Sequence, residues 1–170
     1  MSIATAMPAP TAVYREEQLF AWWIYLVVAL TFTVSCLYLT YRPDGAAGRG
    51  GLFPATVLVI MTAMPLITAG FLRMTTQVTS AVVEVWFGWF PTYRRTINVG
   101  SISRVEVITY NPLKECGGWG IRATREGERV LNARGDRGVR LYFVDGTRLL
   151  IGSQQAEVLA AAIERAIHPG

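Results

Sequence analysis

Acid–base chemistry near neutral pH usually rests on histidine, and this chain has one, His168, in its closing Ile-His-Pro-Gly. That position reads as a surface tail residue. The two cysteines, Cys36 and Cys116, belong to no C-x-x-C or H-x-x-x-H pattern, so the sequence offers no metal-ligand spacing. Glu84 lies in an apolar stretch, where burial would raise its pKa; the plainer reading is a strand-edge glutamate meeting water or an arginine. Glu126 and Glu128 flank Gly127 as a solvated turn. Among the glycine runs, residues 48–51 (GRGG) lack the Lys-Ser/Thr of a phosphate loop, and residues 134–138 (RGDRG) read as a turn. The run ECGGWGIR, residues 115–122, is the best phosphate-cradle candidate. Such a cradle opens a helix, but the IRATREGERV that follows reads as strand and turn. Its glycines then serve a bulge or a close strand crossing, with Trp119 as a packing anchor and Arg122 as a surface or interface contact. The expectation is a non-enzyme with no catalytic residue, metal or cofactor.

The elements that position these residues fall into three zones. Residues 1–18 form an Ala/Pro-rich extended arm. Leu19 to Tyr41 and Leu52 to Leu72 then run without a charge, about 34 and 31 Å as helices at roughly 1.5 Å per residue, against a hydrocarbon core of roughly 30 Å. Two buried helices of that length would need more chain around them than remains. The expectation is a two-helix transmembrane hairpin over 19–72. Trp22, Trp23 and Tyr25 at one end of the first run and Tyr38 and Tyr41 at the other serve as membrane-interface anchors. Small and hydroxyl residues such as Thr31, Ser35, Thr56, Thr62 and Gly70 allow close helix packing, and Pro65 kinks the second helix. Arg15 and Arg73 balance Arg42 and Arg49 across the hairpin. Arg94, Arg95 and Arg104 beyond it, with cysteines too far apart in kind to pair, put both termini and the domain in the cytoplasm of a bacterial inner membrane, as a multi-pass protein.

From residue 73 to 170 the period changes to that of strands. Runs at 74–80, 82–87, 94–99, 104–110, 120–124, 129–133, 139–144 and 148–152 are separated by turn signals, and Asp145-Gly146 marks a hairpin. A terminal helix over 153–167 starts at Ser153 and places Leu159, Ile163 and Ala166 on one face. The aromatic run VEVWFGWFPTY, residues 83–93, is apolar on both faces and fits core burial, the membrane interface or a partner protein. This zone carries 13 basic and 9 acidic residues. The basics are not clustered with stacking aromatics, which argues against nucleic acid; anionic lipid headgroups or a protein interface suit them better.

Strands first and one helix last, with YNPLKECGGWGIR and then ARGDRGVRLYFVDGTRLLIGSQQAEVLAAAI behind a two-helix anchor, resembles bacterial membrane proteins with a pleckstrin-homology-like (PH-like) domain. The resemblance implies a PH-like bent sheet or partly open barrel of about seven strands, capped by the helix and used for binding. It makes the fold class a membrane α-helical hairpin plus an all-β domain with one C-terminal helix. The expected function is a non-catalytic integral-membrane accessory or scaffold subunit, packing its hairpin and cytoplasmic domain against other integral-membrane subunits. As architecture alone this layout is similar to the H subunit of purple bacterial reaction centres. The alternative is a membrane-anchored module binding anionic phospholipid or a peptide in envelope homeostasis or signalling. Trp86, Trp89, Arg94, Arg95, Arg104 and Arg122 are the candidate partner or lipid contacts.

Overall fold

The computed structural model describes residues 13–41, 59–60, 63, 67–68, 70–90, 93–124 and 126–168. Among these, nine strands form two sheets. The first is antiparallel and ordered β1 (Tyr14–Leu19), β2 (Arg73–Val78), β3 (Val82–Phe87), β4 (Tyr93–Asn98). The second runs β5 (Ile102–Thr109), β8 (Arg137–Phe143), β9 (Arg148–Gly152), β7 (Arg129–Asn132), β6 (Gly120–Ala123). Three helices accompany them: α1 (Trp22–Tyr41), the short α2 (Pro112–Cys116) and α3 (Ala156–Ile167).

Alternation builds the core. Val83, Val85 and Phe87 of β3 face inward with Met74 and Val78 of β2, and meet Val139, Leu141, Leu149 and Ile151 of the second sheet. The buried stripe Ala156, Leu159, Ala160, Ala162 and Ile163 of α3 closes the same core. A 3₁₀ turn, Val99–Ser101, carries the chain from one sheet to the other. It is fixed by Asn98, whose Oδ1 accepts from Gly100 N at 2.9 Å and whose carbonyl accepts from Ser101 Oγ at 2.7 Å.

β1 is tied in by a buried carboxylate. Glu16 accepts from Tyr14 Oη at 2.8 Å, Ser153 Oγ at 2.6 Å and Gln154 N at 2.9 Å. Burial, followed by the bond to Glu16, raises the Tyr14 phenol well above its ordinary range. Ser153 in turn accepts from Gln155 N at 3.0 Å, so the approach to α3 is held by a residue of β1. The helix begins at Ala156, three residues later than the sequence suggests, because Ser153 to Gln155 form this turn. Tyr14–Leu19, read from sequence as arm and the start of an apolar run, is a full strand paired along β2.

The all-β region with one C-terminal helix is as expected from sequence; the membrane hairpin is not. Among the described residues no helix is long and apolar enough to cross a membrane. At the base of α1 the first turn belongs to the β-body. Ile24 and Tyr25 pack on the core, and Tyr25 Oη donates to the Leu72 carbonyl at 2.7 Å. Beyond that turn α1 runs from Leu26 to Tyr41, about 24 Å at 1.5 Å per residue, short of a roughly 30 Å hydrocarbon core. Most of the second apolar run, including Pro54, Thr56, Thr62, Pro65 and Ala69, lies outside the described residues. At its end Leu72 packs on the core and Gly70 is bonded to the β3–β4 turn. A multi-pass bacterial inner-membrane protein with a transmembrane hairpin over 19–72 is therefore not supported. Nor does the sheet match the PH-like expectation. Nine strands in sheets of four and five replace about seven in one bent sheet, and β7 runs parallel to its neighbour β9.

Candidate functional site

The residues singled out by sequence are distributed over three surfaces. The outer face of the first sheet carries Trp86 at its centre. In β3, Trp86 sits on the opposite face from Val83, Val85 and Phe87. The guanidinium groups of Arg15 and Arg94 lie 5.9 and 5.8 Å from its ring centre, a cation–π distance for each. Arg94 also bonds Glu84 at 2.7 Å, and Thr96 Oγ1 donates to the other Glu84 oxygen at 3.2 Å. Glu84 is thus a strand glutamate meeting an arginine. Glu17, held by Arg15 at 2.7 Å and also by Arg73, has a carboxyl below the usual range, the Arg15 bond being the main cause.

On the outer face of the second sheet, Arg104 stacks on Tyr142 with 4.9 Å between guanidinium and ring centre, and pairs with Glu106 at 3.1 Å. Tyr142 Oη donates to the same carboxylate at 2.7 Å, and this bond chiefly depresses the Glu106 pKa. Beside them Arg140 grips the buried Glu128 with two bonds, 2.7 and 3.1 Å. Glu128 was read from sequence as solvated; it is buried beneath Arg140 instead.

The ECGGWGIR run closes over the far end of this face. Asn111 Oδ1 accepts from Leu113 N and Lys114 N at 3.2 and 3.1 Å, and Pro112 opens α2, a capping signal already present in Asn-Pro-Leu-Lys-Glu. Gly117, at φ 70°, ends the helix in the left-handed region, and its neighbours Gly118 and Gly120 turn the chain into β6. The glycines therefore connect a helix end to a strand. Trp119 packs against the main core and meets Trp23 of α1 edge-on, with ring centres 5.8 Å apart. Arg122 Nε donates to the Trp119 carbonyl at 3.1 Å and its side chain is exposed. Cys116 is buried with Tyr110, Val130 and Leu150, and burial pushes its thiol up, away from the reactive thiolate. His168 is exposed at the C-cap of α3.

The third surface is apolar and surrounds α1. Trp22 is 68% exposed, and Leu26, Val27, Leu30, Val34, Leu37 and Tyr38 are all exposed along the helix. Trp23 and Tyr25 are its lower fastenings; Tyr41 ends the helix, and its side chain lies outside the described residues, as does that of Cys36. At the β3–β4 turn Trp89 is 73% and Phe90 81% exposed. They border a cleft with Ile67, Gly70 and Phe71, and Trp89 N donates to Gly70 O at 3.0 Å. Gly88 permits the turn: its φ is 85°, and a Cβ there would lie 2.8 Å from the Phe90 carbonyl oxygen. Residues 70–72 thus contact both the turn and, through Leu72, the base of α1.

Arg95 stands apart from Arg94. On β4 it faces the other side, into a cleft bounded by the β8–β9 turn. Among the described residues Arg95, Arg122, Arg129, Arg134 and Arg165 are in no ion pair, whereas Arg94 and Arg104 each have a glutamate. Among the described residues, too, no group of three or more His, Cys, Asp or Glu is placed to hold a metal ion. No protein-family model matches the sequence and no curated protein matches it, so the PH-like resemblance finds no support from known families either.

Proposed function

We propose that the chain is a non-catalytic accessory or scaffold module that docks α1 against apolar surface on a partner protein while its β-body acts as a rigid platform. The observation that carries this reading is the exposure of large apolar residues along α1, Trp22, Leu26, Val27, Leu30, Val34 and Leu37, on a helix without a polar face. A helix with that exposure leaves more apolar area in water than a self-sufficient domain tolerates. Trp89 and Phe90 extend the apolar surface beside the segment that holds the helix base. Aromatic anchors of this type dominate interface energies. A catalytic reading has less to work with, since His168 is terminal and exposed and Cys116 is buried with a raised pKa. An electrostatic lipid reading is weakened because Arg94 and Arg104 are already committed to Glu84 and Glu106.

A photo-crosslinking residue at position 30, with mass spectrometry of the products from the protein's own cells, tests this. One partner captured in fixed stoichiometry, and lost when Leu26 and Val34 are both changed to Gln, is the expected result. Recovery as a lone monomer, with no adduct through α1, would remove the scaffold reading.

A further inference from the structure

We propose that the free edge of β4 receives an extended acidic peptide as an added strand, with Arg95 as its anion anchor. The surface is separate from α1, and the proposal stands whether or not the scaffold reading does. Among the described residues β4 is the last strand of its sheet, so one side of its backbone presents N–H and C=O groups that no neighbouring described strand takes up. Pairing with such an edge is a recurring mode of peptide recognition, in which main-chain bonds give affinity and flanking side chains give choice.

The edge is not bare. A cleft of about 230 Å³ runs along the four consecutive residues Arg95–Asn98 and is walled on the other side by the β8–β9 turn with Val144 and Asp145. The far wall is fixed: Val144 N donates to Ser101 O at 3.1 Å and Phe143 N to Thr147 O at 3.0 Å. Val144 itself is exposed and offers an apolar contact to an incoming side chain.

The charge balance selects the occupant. Arg95 reaches the cleft without an ion pair. The acid on the same rim, Asp145, is turned toward its own loop and forms no ion pair with Arg95. Its Oδ1 accepts from Thr147 N at 2.9 Å and from Thr147 Oγ1 at 2.6 Å, which holds its carboxyl below the usual range. The cleft therefore presents a guanidinium in no ion pair beside strand-pairing groups, a combination suited to a carboxylate carried on an extended backbone. An inward-turned charge is also a device for keeping other strands off an edge, and the test has to separate the two roles.

The full chain would be titrated with labelled eight-residue peptides of alternating Ser and Val, with a single Glu moved through each position, and with matched sets carrying Gln or Lys. Binding by fluorescence anisotropy should favour the Glu set. Arg95→Gln should weaken it by about tenfold or more, the loss of one charge-assisted bond, while Arg129→Gln, a change of another unpaired arginine on β7, should leave it unchanged. Amide exchange at residues 95–98 should slow in the complex. Four outcomes would overturn the proposal: no Glu peptide binding below millimolar concentration; equal loss with Arg129→Gln; full competition by inorganic phosphate with no slowing at 95–98; or self-association of Arg95→Gln with peptide affinity unchanged, which would make Arg95 an edge guard.

Discussion

The two ends of this molecule treat their side chains differently. In the β-body, the apolar residues of the core are almost fully buried, and most of its charged groups on the sheet faces have a partner: Arg140 with Glu128, Arg94 with Glu84, Arg104 with Glu106 and Tyr142. Around α1 and the β3–β4 turn, large apolar residues stand in solvent. Under the proposed scaffold reading, the body holds together by its own core, whereas the helix offers its surface to a partner. Stability should therefore reside in the sheets and α3, and association in α1.

Truncation at matched residues gives the largest test of that contrast. Leu141 is fully buried and Leu30 is 63% exposed. Leu141→Ala should cost about 2–5 kcal/mol in a denaturant titration, while Leu30→Ala should stay within about 0.5 kcal/mol. A large loss at Leu30 in the isolated chain would mean that α1 is part of the folding unit after all.

A second test stays inside the body and uses pH. Tyr110 is buried, and its Oη accepts from Asn132 Nδ2 at 3.1 Å. Burial pushes its phenol up to about 12 from 10.0, partly offset by the Asn132 bond. A folded-state pKa above the unfolded value contributes stability that is full below the unfolded pKa and lost as pH rises through the folded one. Melting measured from pH 9 upward should thus show stability falling from about pH 10 to about 12. Tyr110→Phe should remove that segment of the profile and cost about 1 kcal/mol at neutral pH, because Asn132 loses a partner. Space there is already tight: a Cβ on Gly152 would lie 3.0 Å from Tyr110 Oη and 2.7 Å from Asn132 Cβ.

The same contrast explains what could be read from the sequence. β3 and β9 are legible to the residue because alternation and turn residues are local signals. β1 is not: Tyr-Arg-Glu-Glu-Gln-Leu has three charges in a row. Its strand identity depends on Glu16 being received by Ser153 and Gln154, more than 130 positions away. The arginines show the same limit. Arg94 and Arg95 are neighbours in sequence and face opposite sides of the sheet, since strand side chains alternate, and Arg104 is on the other sheet. The candidate contacts Arg94, Arg95 and Arg104 thus face three different surfaces, and Arg95, in a cleft without an ion pair, could be found only once the strand faces were known. The uncharged run over α1 was legible as apolar, but its fastening to the body by Tyr25 and Leu72 was not.

The smallest effect to look for is where the two ends join. Trp23 of α1 meets Trp119 of the body edge-on at 5.8 Å, a geometry worth about 0.5–1.5 kcal/mol beyond area burial. A double-mutant cycle, Trp23→Leu, Trp119→Leu and both, isolates that term. Trp119 also packs on the core, so its single change should cost more than that of Trp23. If the helix is fastened here, the coupling should fall in the stated range, and amide exchange in the first turn of α1 should quicken in either single variant. A coupling of zero would leave Tyr25 and Ile24 as the working fastening and make Trp23 one more apolar residue offered to a partner.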